Sequence, residues 1–204
     1  LKNSEEIRRY VETCQEEFWQ QVFSQETAYL AAHLAGAKDI LSVGCGPAII
    51  EGELLKLGFA VTGLDVSAEA LACAPDGLRG VTGRAEEMPF ADATFDGVIF
   101  VASLQFVDDY RLALERAAAV LRPGGKLIVM LLNTESAFFQ AMRDDPESYV
   151  QHLRHADVGA IESAAARFFE LHTEYYLGIR GADIFQSQNP AEAALYILRG
   201  MKRR

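Results

Sequence analysis

Two short stretches carry residue types suited to holding a nucleotide. Gly44-Cys45-Gly46-Pro47 is a turn of small residues, and Asp65 is a carboxylate at the end of an apolar run. The glycines let a ligand approach the main chain, and a helix starting after them would offer unpaired N–H groups. A carboxylate about twenty residues further on can accept from both hydroxyls of a ribose. Cys45 lies inside the turn, where a small side chain is needed. No sequence neighbour would activate it as a nucleophile, so we read it as structural.

The elements around these residues follow from periodicity. Ile40, Leu41 and Val43 form an apolar run that stops at Gly44. Pro47 suits the first turn of a helix, where its missing N–H is not needed. Ile50, Leu54 and Leu57 then recur at helical spacing, and Gly58 is a C-terminal stop. A second apolar run, Phe59 to Leu64, ends at Asp65. After it, Ser67 caps a helix through Cys73, and Pro75-Asp76-Gly77 is a turn. Further strands are expected at Gly80–Gly83, Phe95–Val101 and Lys126–Leu132. A helix starting at Asp108 is ended by Pro123-Gly124-Gly125. Residues 134–167 read as helical, Phe168–Gly178 as a sixth strand and Ala194–Gly200 as a seventh. The loop between these two is too short for a crossover helix, so the connection is antiparallel. Alternating strands and helices imply a parallel sheet covered on both faces. Residues 4–35 predict one or two amphipathic helices, with Phe18/Val22 and Trp19/Phe23 spaced to share a face.

Composition narrows the function. The 204 residues suffice for one core, and 24% charged with 50% hydrophobic residues is ordinary for a globular chain. A formal net charge of −10 disfavours nucleic-acid binding, and the basic tail Lys202-Arg203-Arg204 reads as a solvated end. No apolar stretch reaches the ~20 residues of a membrane span, and no signal-peptide pattern is seen. Three cysteines, Cys14, Cys45 and Cys73, have no zinc-site spacing and fit a reducing cytoplasm. His152 and His155 share a helical spacing but lack further ligands, so no metal is expected. His33 and His172 have no sequence partner.

Four motifs in order then carry a family resemblance: Ile40-Leu-Ser-Val-Gly-Cys-Gly-Pro-Ala48, Asp65, Gly83-Arg-Ala-Glu-Glu-Met-Pro-Phe90 with Phe95-Asp96, and Leu121-Arg-Pro-Gly-Gly-Lys-Leu127. Over residues 38–133 the chain resembles the class I S-adenosylmethionine-dependent methyltransferases, above all the small-molecule group that includes the ubiquinone and menaquinone enzymes. The resemblance implies an α/β Rossmann-like fold, with a mostly parallel seven-stranded sheet, an antiparallel last strand and helices on both faces. It also implies one domain: a helical cap (1–37), a cofactor-binding core (38–133), a lid and hairpin (134–193) and a last strand with tail (194–204). The implied cofactor is S-adenosylmethionine, leaving as S-adenosylhomocysteine, and the partner is a small-molecule acceptor. The implied cofactor residues are Ser42, Gly44, Cys45 and Gly46 for the methionine part, Asp65 and Val66 for the ribose, Arg84, Ala85 and Glu86 for the adenine, and Val101 near the sulfonium. A nicotinamide dehydrogenase is the first rival, but its third turn glycine would fall at Ile49.

Two positions depart from the family pattern. Ser42 stands where an acid commonly helps hold the methionine amino group, and Arg84 where an Asp commonly lies on the adenine side. Ordinary variation, a non-catalytic cofactor-binding module, and a carboxylated cofactor that welcomes Arg84 are the three readings. The cap, the 134–167 segment and the loop 179–193 should converge at the mouth. They bring Trp19, Phe23, Phe138, Phe139, Arg180 and Phe185, an aromatic set with one cation. The acceptor is therefore expected to be apolar or aromatic, with an anionic group for Arg180 or with the rings simply packing the lid. No catalytic base stands out.

Overall fold

The computed structural model describes residues 4–203. Its core is built on a period of two. Along β1 (Asp39–Val43), Ile40 faces one side of the sheet and Leu41 the other. Val98 and Ile99 divide in the same way on β4 (Phe95–Val101), as do Leu127 and Ile128 on β5 (Leu121–Leu132). Both sets are buried, which explains the unbroken apolar runs of these strands. Leu41, Val98 and Leu127 pack under α5 (Tyr110–Val120) and α7 (Val158–Ala165). Ile40, Ile99 and Ile128 pack under α2 (Glu17–His33), α3 (Ile49–Lys56) and α6 (Ala137–Arg143). α1 spans Ser4–Cys14 and packs on α2 and α4 (Ala68–Leu71).

The remaining strands are β2 (Ala60–Asp65), β3 (Arg79–Thr82), β6 (Phe169–Arg180), β7 (Asp183–Phe185) and β8 (Ala193–Lys202), and the sheet order is β3-β2-β1-β4-β5-β8-β6-β7. β1 to β5 are parallel, β8 runs antiparallel to β5 and β6, and β7 folds back on β6. The sheet therefore has eight strands, not the expected seven. The extra one is three residues long and exists because Gly178 leaves room for the Phe185 ring across the hairpin. The order reverses between β1 and β4, so the carboxyl ends of these strands frame the crevice of an open α/β sheet.

Several local expectations are corrected. Pro47 lies before α3, whose N-cap is Ala48 at φ +59°, because Pro47 sits inside the turn that Ala48 N–H closes on Cys45 O at 2.9 Å. The Ser67 helix ends at Leu71. The helix after β4 is capped by Asp109, not Asp108, with the Asp109 carboxylate accepting from Arg111 and Leu112 N–H. The 134–167 segment breaks into α6, a 3₁₀ turn at Tyr149–His152 and α7. Nor is the basic tail simply solvated: Lys202 Nζ donates to Leu121 O at 2.7 Å and Arg203 Nε to Phe169 O at 3.2 Å, while Arg204 lies outside the described residues. The same end of the sheet, away from the crevice, is tied by Asp96, which accepts from Lys38 and Asp39 N–H at 2.9 Å and from Arg122 at 2.6 Å.

Candidate functional site

The glycine turn is held from three sides. Gly44 N–H donates to Leu64 O at 2.7 Å, and Gly46 N–H donates to Asp65 Oδ2 at 2.7 Å. The other Asp65 oxygen accepts from Ser67 N–H at 2.9 Å. Asp65 thus fastens the turn and the start of α4 together, and each oxygen keeps a second lone pair for a ligand. Behind the turn, Ser103 Oγ donates to Val43 O at 2.6 Å. A Cβ on Gly44, at φ +72°, would lie 2.6 Å from Ser103 Cβ, whereas one on Gly46, at φ +55°, would meet nothing within 4 Å. The two glycines therefore serve different ends. Gly44→Ala should cost roughly 2–3 kcal/mol, from left-handed strain plus overpacking. Gly46→Ala should cost only about 1 kcal/mol and should instead fill ligand space. Urea melts of both variants, read beside ligand affinity, check this; equal stability losses would count against the division.

Beneath the turn are two carboxylates that the motifs did not reveal. Ser42 is buried, and its hydroxyl donates to Glu51 Oε1 of α3 at 2.5 Å. Glu51 is itself only 3% exposed; burial pushes its carboxyl up to about 7, with Asp65 adding to the rise. α2 packs against α3 and brings a second buried acid, Glu26, which burial and then Glu51 push up to about 8. An acid does stand at the Ser42 position, but α3 supplies it from nine residues downstream. Sequence offered one signal for each. Glu51 falls between Ile50 and Leu54 on a buried helix face. Glu26 interrupts a ladder spaced by four: Phe18, Val22, Leu30, Leu34.

On the far side of Asp65, Val66 is 67% exposed at the crevice edge and offers apolar surface to a flat ligand. Ala85 is buried, and Glu86 is nearly so, its Oε1 accepting from Asp108 and Asp109 N–H at 2.9 and 3.0 Å. Arg84 is ion-paired with Asp108 and lies 3.5 Å from Glu86 Oε2; Asp108 also pairs with Arg154. The carboxylates beside Arg84 hold its guanidinium charged, the Asp108 hydrogen bond being the largest influence. Cys45 sits over Gly63, and burial, then Glu51 and Asp65, push its thiol up, which suits packing and opposes nucleophilic use.

β4 ends at half-buried Val101, and Ala102 follows at φ +45°. Gln105, fully buried, grips the end of β5 with both amide atoms: Oε1 accepts from Leu132 N–H at 2.7 Å and Nε2 donates to Leu132 O at 3.2 Å. Sequence reading missed this positioning residue. Above it the cap aromatics meet. The Phe18 ring lies 5.2 Å from Trp19 and 6.2 Å from Phe138, Trp19 stacks on Phe23 at 6.0 Å, and Phe106 packs on Tyr149 at 5.9 Å. Phe139 is core. Arg180 and Phe185 stay together on the hairpin, the guanidinium 5.5 Å over the ring, and Arg180 is exposed and paired with Glu192 at 2.7 Å. His155 Nε2 bonds Val107 O and His33 Nδ1 bonds Tyr29 O, so both serve the scaffold. Among the described residues no cluster could hold a metal ion, and no helix is long and apolar enough to cross a membrane.

Residues 41–129 match the family model described as a methyltransferase domain. The chain is 34% identical over 133 residues to the O-methyltransferase resE of Aspergillus sclerotiorum, covering 55% of this chain and 50% of that protein. It is 32% identical over 138 residues to the demethylmenaquinone methyltransferase of Mycobacterium marinum, covering 59% and 60%. The chain thus spans about half the length of the curated relatives it matches. Its fold superposes with a TM-score of 0.79 on a SAM-dependent methyltransferase from Thermotoga maritima, described as a possible histamine N-methyltransferase, at 21% identity over 98% of this chain and 99% of that one. A SAM-dependent methyltransferase from Archaeoglobus fulgidus superposes at 0.75, with 15% identity over 95% and 98%.

Proposed function

From a chain whose central domain is similar to the class I S-adenosylmethionine-dependent methyltransferases, quinone methyltransferases among them, we propose an enzyme that uses S-adenosylmethionine to methylate a small-molecule acceptor. The observation that carries this reading is the Ser42–Glu51 pair. A buried carboxylate with no cation beside it among the described residues, under a glycine turn, fits a ligand end that bears an ammonium group. Glu51 would hold that group, Gly44 to Gly46 would lie along the methionine part, and Asp65 would accept from the ribose. Val66 and the Ala85–Glu86 segment would flank the adenine. When bound, the cofactor supplies a methyl group already activated on a sulfonium. The chain's own task is then to position, exclude water and balance charge.

The carboxylated-cofactor reading asks for an uncompensated cation at Arg84, and Arg84 is already paired twice. Three free thiols suit a cytoplasmic setting, and the net charge of −10 suits a small acceptor over nucleic acid. The test is thermal. S-adenosylhomocysteine at a hundred times its Kd should stabilise by ~2.7 kcal/mol, and NAD should not. A shift with NAD alone would overturn the assignment. Cofactor binding with no labelled methyl transferred to any component of a broad metabolite extract would favour the binding-module reading.

A further inference from the structure

Glu26 is 6% exposed, and no described residue hydrogen-bonds or ion-pairs to its carboxylate. It lies on the α2 stripe that carries Trp19 and Phe23, at seven and three residues' distance, so all three share a helix face. Four elements bring titratable groups close to it: Glu51 of α3, Tyr10 of α1, Tyr149 of the 3₁₀ turn and Tyr176 of β6. None is a cation. Tyr176 is fixed beside it, its hydroxyl donating to Gln25 O at 3.2 Å. Tyr149 packs on the Phe106 ring, in the 3₁₀ turn that follows β4. Thr27 Oγ1, one residue on, is also buried without a partner.

Burial keeps the Glu26 carboxyl protonated in the ligand-free protein, and a ligand that brings a cation would favour its ionised form. Aromatic faces add attraction for a positive group, and the net charge of −10 draws cations to the mouth. An anionic acceptor would meet Glu26 and Glu51 together, while Arg180 is engaged with Glu192 on the hairpin. We propose that Glu26 binds the ammonium group of an amine acceptor whose apolar part lies among Trp19, Phe138 and Tyr149. This rests on the methyltransferase reading. It replaces the anionic group expected from sequence with a cationic one. Glu26 also gives the acceptor's proton somewhere to go: the N–H bond breaks, its electron pair stays on nitrogen, and a carboxylate oxygen takes the proton.

The experiment uses protein saturated with S-adenosylhomocysteine and follows the fluorescence of Trp19, the only tryptophan. Three probes that share a phenyl ring and a two-carbon arm are titrated: 2-phenylethylamine, 2-phenylethanol and phenylacetate. The amine should bind at least tenfold more tightly than the alcohol, and phenylacetate most weakly. Glu26→Gln, which keeps the shape, should erase the preference for the amine while S-adenosylhomocysteine still binds at least as tightly as to wild type. Equal or tighter binding of the alcohol or phenylacetate, no binding of any probe, or a preference that survives in Glu26→Gln overturns the proposal and leaves the cofactor reading standing. Failure of S-adenosylhomocysteine itself to bind wild-type protein overturns the methyltransferase reading, and this one with it.

Discussion

Asp65→Ala is expected to weaken S-adenosylhomocysteine binding about 100-fold, the loss of two hydrogen bonds to a charged acceptor at ~1.5 kcal/mol each. The same substitution should also lower stability. Asp65 accepts from Gly46 N–H and Ser67 N–H through separate oxygens, so truncation orphans a donor in the glycine turn and another at the start of α4. A loss of roughly 2–4 kcal/mol follows if each orphaned donor costs the usual desolvation penalty. The two effects can be separated. Asp65→Asn keeps one acceptor oxygen and an N–H₂ that faces a backbone donor, so it should recover part of the stability but little of the ribose affinity. Calorimetric titration and urea melts on both variants measure this. If Asp65→Ala loses stability while its affinity falls less than threefold, the carboxylate is a turn fastener only, and the ribose lies elsewhere.

How much of this was legible in sequence depended on whether a residue's role was set by local backbone or by its neighbours. The glycine turn and Asp65 were readable because strand-turn-helix geometry demands those residue types at those places. β1, β2, β4 and β5 were readable because strands covered on both faces must be apolar throughout. β7 was not: three residues carry no periodicity, and the strand exists through Gly178 and Phe185 packing across the hairpin. Arg84 looked like a cation free to choose a ligand until Asp108, 24 residues away in sequence, was found to hold it. Glu26 and Glu51 are the clearest case. An acid inside a helix normally reads as solvated, and only the packing of α2 against α3 makes these two buried. The absent acid at Ser42 was visible as a gap, but its replacement from another element was not.

The same two acids set the pH dependence of the ligand-free protein. Their folded-state carboxyls sit at about 7 and about 8, above the ordinary value of 4.5, with burial the main cause. Between these limits the folded state binds more protons than the unfolded state, so stability must fall as pH rises. Full stability from this source is present below about pH 4.5 and is lost progressively up to pH 8, where the curve flattens. Asp96, held below the usual carboxylate range first by the Asp39 N–H bond, is already ionised across this window and does not offset the slope. Because the pair titrates as a unit, the net loss between pH 5.5 and 8 should be on the order of 2–4 kcal/mol. Glu26→Gln and Glu51→Gln should each flatten the slope. At pH 8, Glu26→Gln should raise the melting temperature by roughly 4–8 °C, since a buried, uncompensated charge is replaced by a neutral amide of the same shape. S-adenosylhomocysteine should act in the same direction: its ammonium compensates Glu51, so its affinity should rise from pH 6 to pH 8. Differential scanning calorimetry across that range, with and without ligand, decides the matter. A ligand-free melting temperature that rises with pH over this interval, or a Glu26→Gln variant less stable than wild type at pH 8, would mean that cations in the fold already neutralise these carboxylates. The crevice would then have no charge reserved for a ligand.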